Sequence, residues 1–539
     1  MDFDFATYLS QLDATYIYRV EKLAGGVVNV TVRASKSRIA TAATITASPS
    51  PTMWESRNDN DGLDCDDDCD CGRGRFPGEK SLILKHAPPF IAGIGESAPM
   101  SQSRQEVEAA SLALFSPDPL TEGDRSSSLS SPSTRGVLHH VSTESGVMVP
   151  RLLYHDPANH VLILSDLGPL PDLSKVFIEL GGSTPDSAGG ASWQTPTPSS
   201  PRLGFPLEAH EISTYRRIGE KLGMFFARLH DTSSIRSILG AARHEQGEVL
   251  LRDRSGQQSP QADVFPSVPE MKTVIHEHVI KPIRSHLLKF PSLLDEAEAE
   301  ILFAAVEADF LRPTPPEEQC VVLGDCWTGT VLVDLRPAAG GDTDVGVGVI
   351  DWEFSKLRGR GVNGDVSQFL AHLELLRVAA HARPNGQASG HLSAINAIIE
   401  GFVRKYKLGQ TKSSDGDSGL LRSACLSHGA EIINGAFWKT WTCHDPECPS
   451  CTKTSQPPSS SASSSSSSSS SAAAAGQSGT MQCSIITKLV SRGISFLRCA
   501  VATEPPRLGT ATLRQNIAAN NLEAEYDNTK TKGLYDLFD

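Results

Sequence analysis

Two aspartates stand directly against β-rich apolar runs, Asp325 after VVLG and Asp351 after VGVGVI. A carboxylate at a strand end is held by the sheet while its head faces a cleft, which suits a general base or a Mg²⁺ ligand. Asp325 belongs to Gly-Asp-Cys-Trp-Thr-Gly-Thr, and Asp351 opens Asp-Trp-Glu. Nearer the N-terminus, Gly25 and Gly26 lack a Cβ and let backbone N–H groups approach a polyphosphate. Lys85, alone in the apolar run SLILKH, offers a point charge to phosphate oxygens, and Glu108 on the next helical segment can hold that ammonium. Each feature has an ordinary explanation by itself: a hairpin turn, an edge-strand lysine, strand-end turns or helix caps. Glycine turn, strand lysine, helix glutamate, loop aspartate and metal aspartate nevertheless follow one another in the order used by kinase-like phosphoryl transfer.

The elements that must position these residues are legible as runs. YIYRVEKLAGGVVNVTVRA predicts a strand, a turn at the glycine pair and a second strand; Ser81–His86 predicts a short strand and Arg104–Phe115 a helix. Val161 to Gly168 predicts a buried strand stopped by glycine, and Glu211–His230 and Asp295–Phe310 have helical period. QCVVLGDCWTGTVLVDL and VGVGVIDWEF read as two apolar strands, with helices filling most of the remainder to Trp441. Strands first and helices later indicate an α+β chain. Three polar insertions interrupt it, at 34–80 (acidic), 181–206 (Gly/Ser/Pro/Thr-rich) and 454–480 (Ser/Ala-rich), and disorder is expected of each. The expected domains are therefore 14–168, 169–453 and, beyond the third insertion, C-terminal helices over 481–539 packing on the second.

The chain has 539 residues, 39% hydrophobic and 21% charged, which excludes a wholly disordered protein and suffices for two or three domains. A net charge of −14 offers no general basic surface, so neither nucleic acid nor membrane is an expected partner. No apolar run reaches the roughly 18 residues of a spanning helix, and MDFDFATYLS is acidic where a signal peptide would be basic, so a cytoplasmic location is expected. Eleven cysteines, an odd number, fit reduced thiols. Cys443, His444, Cys448 and Cys451 form CHDPECPSC, whose four possible zinc ligands lack the long spacer between doublets of a structural site; Cys65, Cys69 and Cys71 lie in an Asp run. An unstructured insertion is expected for both.

The motifs together resemble the aminoglycoside-phosphotransferase and choline-kinase-like superfamily, and within it methylthioribose kinases. LKHAPPFIAGIGESAPM, RQEVEAASL, LILSDLG, GDCWTGT and VIDWEF with a later GDVSQFLAHL carry the resemblance, from about Tyr16 to Trp441 around the insertions; the closing GLYDLFD looks like the family's last helix. The resemblance implies a two-lobed, protein-kinase-like fold with a small β-rich N-lobe and a larger, mainly helical C-lobe, and ATP and Mg²⁺ in the cleft between them. It implies that Gly25, Gly26 and Asn29 lie in a phosphate-covering loop and that Lys85, partnered by Glu108, contacts nucleotide phosphates. Backbone groups of Leu164, Ser165 and Asp166 would hold the adenine. Asp325 would orient the acceptor hydroxyl or take its proton, and Asp351 with Glu353 would bind Mg²⁺, Thr330 standing where the family has a metal-side Asn or Ser.

Three positions depart from the family pattern. Leu323 replaces the usual His before Gly-Asp, removing a hydrogen bond expected to fix the catalytic loop. Thr330 is stiffer at its branched Cβ. Where methylthioribose kinases carry an Arg pair on a late helix, GAEIINGAF offers Asn434 and Gly435, so an acceptor other than methylthioribose is expected. His230, closing KLGMFFARLH, reads as a packed helix-end residue. The expected function is ATP-dependent phosphorylation of a small-molecule hydroxyl, the alternative a nucleotide-binding pseudokinase or scaffold. A protein kinase is disfavoured because no His-Arg-Asp, Asp-Phe-Gly or Ala-Pro-Glu set occurs.

Overall fold

The computed structural model describes residues 3–23, 28–38, 74–116, 134–179, 206–252, 265–266, 268–336, 345–382, 389–410, 418–438, 441, 483–502 and 532–538. The chain is mixed α+β and divides into two compact units, Met1–Gly136 with Pro150–Gly168, and Val137–Val149 with Pro169–Asp539.

The first unit is built on an antiparallel sheet of β1 (Tyr16–Lys22), β2 (Val30–Arg38), β3 (Ser81–His86), β4 (Leu152–Asp156) and β5 (Val161–Ser165), in the order β1-β2-β3-β5-β4. Alternation along β3 buries Leu82 and Leu84 with Tyr18, Val32 and the Phe5 and Leu9 side chains of helix α1 (Phe5–Leu12). Removing such a side chain from water stabilises by roughly 1.5–3 kcal/mol. Helix α1 begins where the Asp4 carboxylate accepts the Thr7 N–H at 3.0 Å, ahead of the expected domain start at Ala14. The expected insertion over 34–80 is too wide at both ends. Ala34–Arg38 is the second half of β2, paired with Val20–Tyr16 of β1, and Phe76 is buried in the sheet's core. Its polar composition concealed a strand in which buried Val32 and Ala34 alternate with more accessible residues, and Lys36, in step with them, is half-buried with its ammonium donating to the Phe76 carbonyl. Helix α2 (Arg104–Phe115) follows the expected bounds.

In the second unit, β6 (Gln319–Val322) pairs antiparallel with β9 (Lys356–Arg360), while β7 (Val331–Asp334) pairs antiparallel with β8 (Gly346–Val349), which runs parallel to Val147–Met148. QCVVLGDCWTGTVLVDL is thus two strands in separate sheets, and the expectation of one is corrected. Gly324, at φ 87°, turns the chain out of β6, and a 3-10 turn at Thr328–Thr330 leads into β7. Helix α3 (Ala209–Leu229), opened by the Glu208 and Glu211 capping box, packs on α6 (Ser389–Gly409). The approach is so close at Gly219 that a Cβ would stand 2.0 Å from the Ile398 carbonyl oxygen. Helix α4 (Glu296–Leu311) is capped by Asp295. A π-helical turn, Gly361–Val366, runs directly into α5 (Ser367–His381), and α7 (Ser418–Trp438) packs against α5 and α8 (Ser484–Val501). The closing segment, expected as a helix, is one 3-10 turn, Leu534–Leu537. Among the described residues no helix is long and apolar enough to cross a membrane.

Candidate active site

Lys85 sits on β3, an interior strand, opposite Thr31 on one side and Leu162 on the other, so it is not an edge lysine. Its Nζ donates to Glu108 Oε1 at 2.7 Å, with the residues 5% and 1% exposed. An ammonium buried alone would cost several kcal/mol, which the carboxylate on α2 offsets. Lysine and glutamate are brought together as expected.

The neighbouring candidates are differently employed. Asn29 is buried, and its side-chain oxygen accepts from Arg104 Nε at 3.1 Å; Arg104 also donates to the Pro88 and Ser101 carbonyls at 2.9 and 2.7 Å. The Asn29 side chain therefore braces α2 against the start of β2. Gly25 and Gly26 lie outside the described residues, as do Cys65, Cys69, Cys71, Cys443, His444, Cys448 and Cys451. Leu164 is in the sheet ladder, and the Ser165 N–H donates to the Arg151 carbonyl at 3.0 Å. The Asp166 carboxylate accepts from Arg33 Nε and Ser81 Oγ, each at 2.7 Å. Burial opposes its charge, but these bonds hold the carboxyl below its ordinary range.

In the second unit, Asp325 stands on the short loop after β6, and two residues of the segment entering α5 fix that loop. Asp365 Oδ2 accepts the Leu323 N–H at 2.7 Å and its Oδ1 the Gly324 N–H at 2.9 Å. Gln368 Oε1 accepts the Cys326 N–H at 2.8 Å, and its amide donates to Asp325 Oδ1 at 2.9 Å. His230 Nε2 lies 3.3 Å from Asp365 Oδ2, and its Nδ1 lies 2.9 Å from the Tyr406 hydroxyl. Replacing histidine by Leu323 therefore does not leave the loop unfixed, because the bonds come from its backbone and the leucine side chain fills the core. A side-chain bond at 323 is impossible for leucine, and Asp365 and Gln368 hold the loop by its backbone. His230 is packed, as expected, and also orients Asp365.

Burial and then the Glu431 charge push the Asp325 carboxyl up to about 7; the Gln368 hydrogen bond opposes the rise, and Asp351 and Asp365 add smaller increments. A carboxyl near 7 is poised to exchange a proton at neutral pH. Asp351 follows β8 in the left-handed region, at φ 64°, a conformation costing roughly 1 kcal/mol that aspartate tolerates better than most residues. The next residue, Trp352, is buried edge-on to Phe225 with ring centroids 6.3 Å apart, anchoring the turn. Glu353 is buried.

Among the described residues no group of three His, Cys, Asp or Glu side chains is arranged to hold a metal ion. Asp351 and Glu353 stand two residues apart on the turn that follows β8. Thr330 is fully buried; its hydroxyl donates to the Trp327 carbonyl at 2.9 Å, and its own carbonyl accepts the N–H of Ile350, the residue before Asp351, at 3.0 Å. No protein-family model and no curated protein matches the chain.

Asp365, Gln368 and Tyr406 escaped the sequence reading. GDVSQF carried a signal: Asp365 and Gln368 are three apart, the spacing that puts two side chains on one helical face.

Proposed function

We propose that the chain is an ATP- and Mg²⁺-dependent phosphotransferase acting on a hydroxyl group of a small molecule, with the two-lobed, kinase-like fold that this activity accompanies. The observation that carries the proposal is Asp325: a carboxyl poised near neutrality, held by Gln368 on a loop that Asp365 fixes. Lys85, oriented by Glu108, supports it as the group that would hold nucleotide phosphates. Asp351 and Glu353 would hold Mg²⁺, which when bound neutralises phosphate charge. As the acceptor oxygen bonds to the terminal phosphorus and the bond to the leaving ADP oxygen breaks, Asp325 takes the hydroxyl proton. Positioning and charge, with no covalent work by the protein, would supply the acceleration.

One observation favours a nucleotide-binding scaffold: the Thr330 hydroxyl is committed to Trp327. A screen of small hydroxyl compounds for acceptor-dependent ADP release separates the two. The enzyme reading requires at least one acceptor whose turnover falls about 10²–10⁴-fold in Asp325→Asn with ATP binding retained. Nucleotide binding with no acceptor signal, or a signal indifferent to Asp325, would leave the scaffold.

A further inference from the structure

A cavity of about 400 Å³ opens in the second unit beside the Asp325 loop, lined among others by Gly324, Gln368, Asn434, Lys356 and Arg358. That volume suits a small molecule. Five cationic and three acidic residues line it, on a chain whose net charge is −14. The acids are engaged: Asp365 on the loop backbone, Glu431 with His372 Nε2 at 2.9 Å, and Asp309 with Arg360 Nη1 at 2.8 Å. Of the cations, Arg312 is tied to Glu318 at 2.9 Å, and Lys272 donates to the Leu311 carbonyl at 3.3 Å.

Lys356 and Arg358 differ. They are two apart on β9, hence on one side of the strand, and both are exposed while Leu357 and Gly359 between and after them are buried. Among the described residues neither has a hydrogen-bond or ion-pair partner. Crowding by protein, and then the like charges of Lys272 and Arg360, pull the Lys356 ammonium below the ordinary lysine value, so a bound anion would relieve it. Asn434 supplies a second feature. It is 1% exposed, its amide donates to the Val279 carbonyl at 3.0 Å, and its Oδ1 has no hydrogen-bond partner. A buried acceptor without a donor is costly, and a ligand hydroxyl would satisfy it. Gly435 plays no such part, since it packs against Leu375. The guanidinium missing from 434–435 is thus available from Arg358 on a different element.

We infer that this cavity takes an anionic, hydroxylated small molecule, its phosphate or carboxylate on Lys356 and Arg358 and a hydroxyl on Asn434. As an assignment of acceptor class it rests on the phosphotransferase proposal; as a binding site it does not.

The test is therefore calorimetric binding to the full chain without nucleotide, using ribose 5-phosphate, ribonate and ribose as probes. At least one anionic probe should bind about tenfold or more tighter than ribose, the scale of a charge-assisted hydrogen bond. The gap should close in Lys356→Gln/Arg358→Gln, persist in Arg358→Lys, shrink with added salt and survive in the folded Lys85→Met/Glu108→Leu protein, which excludes capture at the nucleotide lysine. Asn434→Leu should weaken the same anionic probe severalfold. Which anion prevails distinguishes phosphate from carboxylate. Equal binding of charged and neutral probes, no binding of any, or a gap that outlasts the folded double glutamine variant would overturn the inference. ADP release is measured in parallel: anion binding that depends on Lys356 and Arg358 without any turnover would sink the phosphotransferase proposal and leave the site standing.

Discussion

Asp365 and Gly324 are joined by a 2.9 Å hydrogen bond across 41 residues, and on its other side Gly324 is so close to Phe354 that a Cβ would stand 2.0 Å from that residue's carbonyl oxygen. The loop bearing Asp325 is thereby wedged between the π-helical turn that enters α5 and the turn that bears Asp351. Asp365→Ala orphans two N–H groups, each costing roughly 1–3 kcal/mol where buried. Turnover is expected to fall on the order of 100-fold with the KM for ATP nearly unchanged. Wild-type turnover in a folded Asp365→Ala protein would show that the wedge does not position Asp325.

The proton balance of Asp325 gives a pH signature of two parts. Its folded value, about 7, lies above the ordinary 3.8, so kcat should rise as pH increases through 7 and the base loses its proton. Stability runs the other way. A carboxyl raised on folding contributes most favourably below 3.8, where both states are protonated, and the contribution is lost as pH climbs through 7. Asp325→Asn should therefore stabilise the protein at pH 8 by on the order of 2 kcal/mol, allowing for solvent screening of a part-exposed group, and by little at pH 4. Urea unfolding at the two pH values measures it; equal gains at both would contradict the assigned shift.

Lys85 and Glu108 should separate stability from binding. Lys85→Ala leaves a buried carboxylate unpaired and should cost about 3–5 kcal/mol, while Lys85→Met/Glu108→Leu restores much of that loss. Neither protein should bind ATP at the wild-type level. Nucleotide affinity that recovers along with the melting temperature in the double variant would remove Lys85 from the phosphate site.

A buried ion cluster around Glu374 predicts that the second unit is acid-sensitive. Glu374 Oε1 accepts from Arg492 Nε at 2.8 Å, and Arg377 lies against the other oxygen. Burial opposes the charge, but the two guanidinium groups overcome it and lower the carboxyl to about 2. Glu374 thus contributes stability that is fully present above its unfolded value near 4.5 and lost as pH falls towards 2. Glu374→Gln should be clearly destabilised at pH 7, and its deficit should narrow at pH 3; a constant deficit would show that packing, not charge, holds the cluster.

The elements whose local pattern agrees with their final burial were legible in sequence. Helix α2 kept its expected bounds, and β3 emerged from SLILKH, because helical and strand periods are imposed by the chain's own geometry. Residues 34–38 were missed because Ser35, Lys36 and Ser37 give this half of the strand the composition of a loop. The division of QCVVLGDCWTGTVLVDL into β6 and β7 was hidden for a related reason: both strands are apolar, and which partner each takes is a property of distant segments.

The same distinction applies to the candidate site. Residue type and order along the chain were enough to nominate Lys85, Glu108, Asp325, Asp351 and Glu353, since charge and oxygen chemistry belong to the side chains themselves. Only tertiary structure decided that Asn29 and Thr330 are spent on internal bonds, that Asp365, Gln368 and His230 brace the Asp325 loop, and that Lys356 and Arg358 share a cavity wall. The reason is physical: a hydrogen-bonding group has many possible partners in sequence, and packing selects the one within reach. The carboxyl of Asp325 is an ordinary acid in the chain; its value near 7 arises from burial and from Glu431, more than one hundred residues away in sequence.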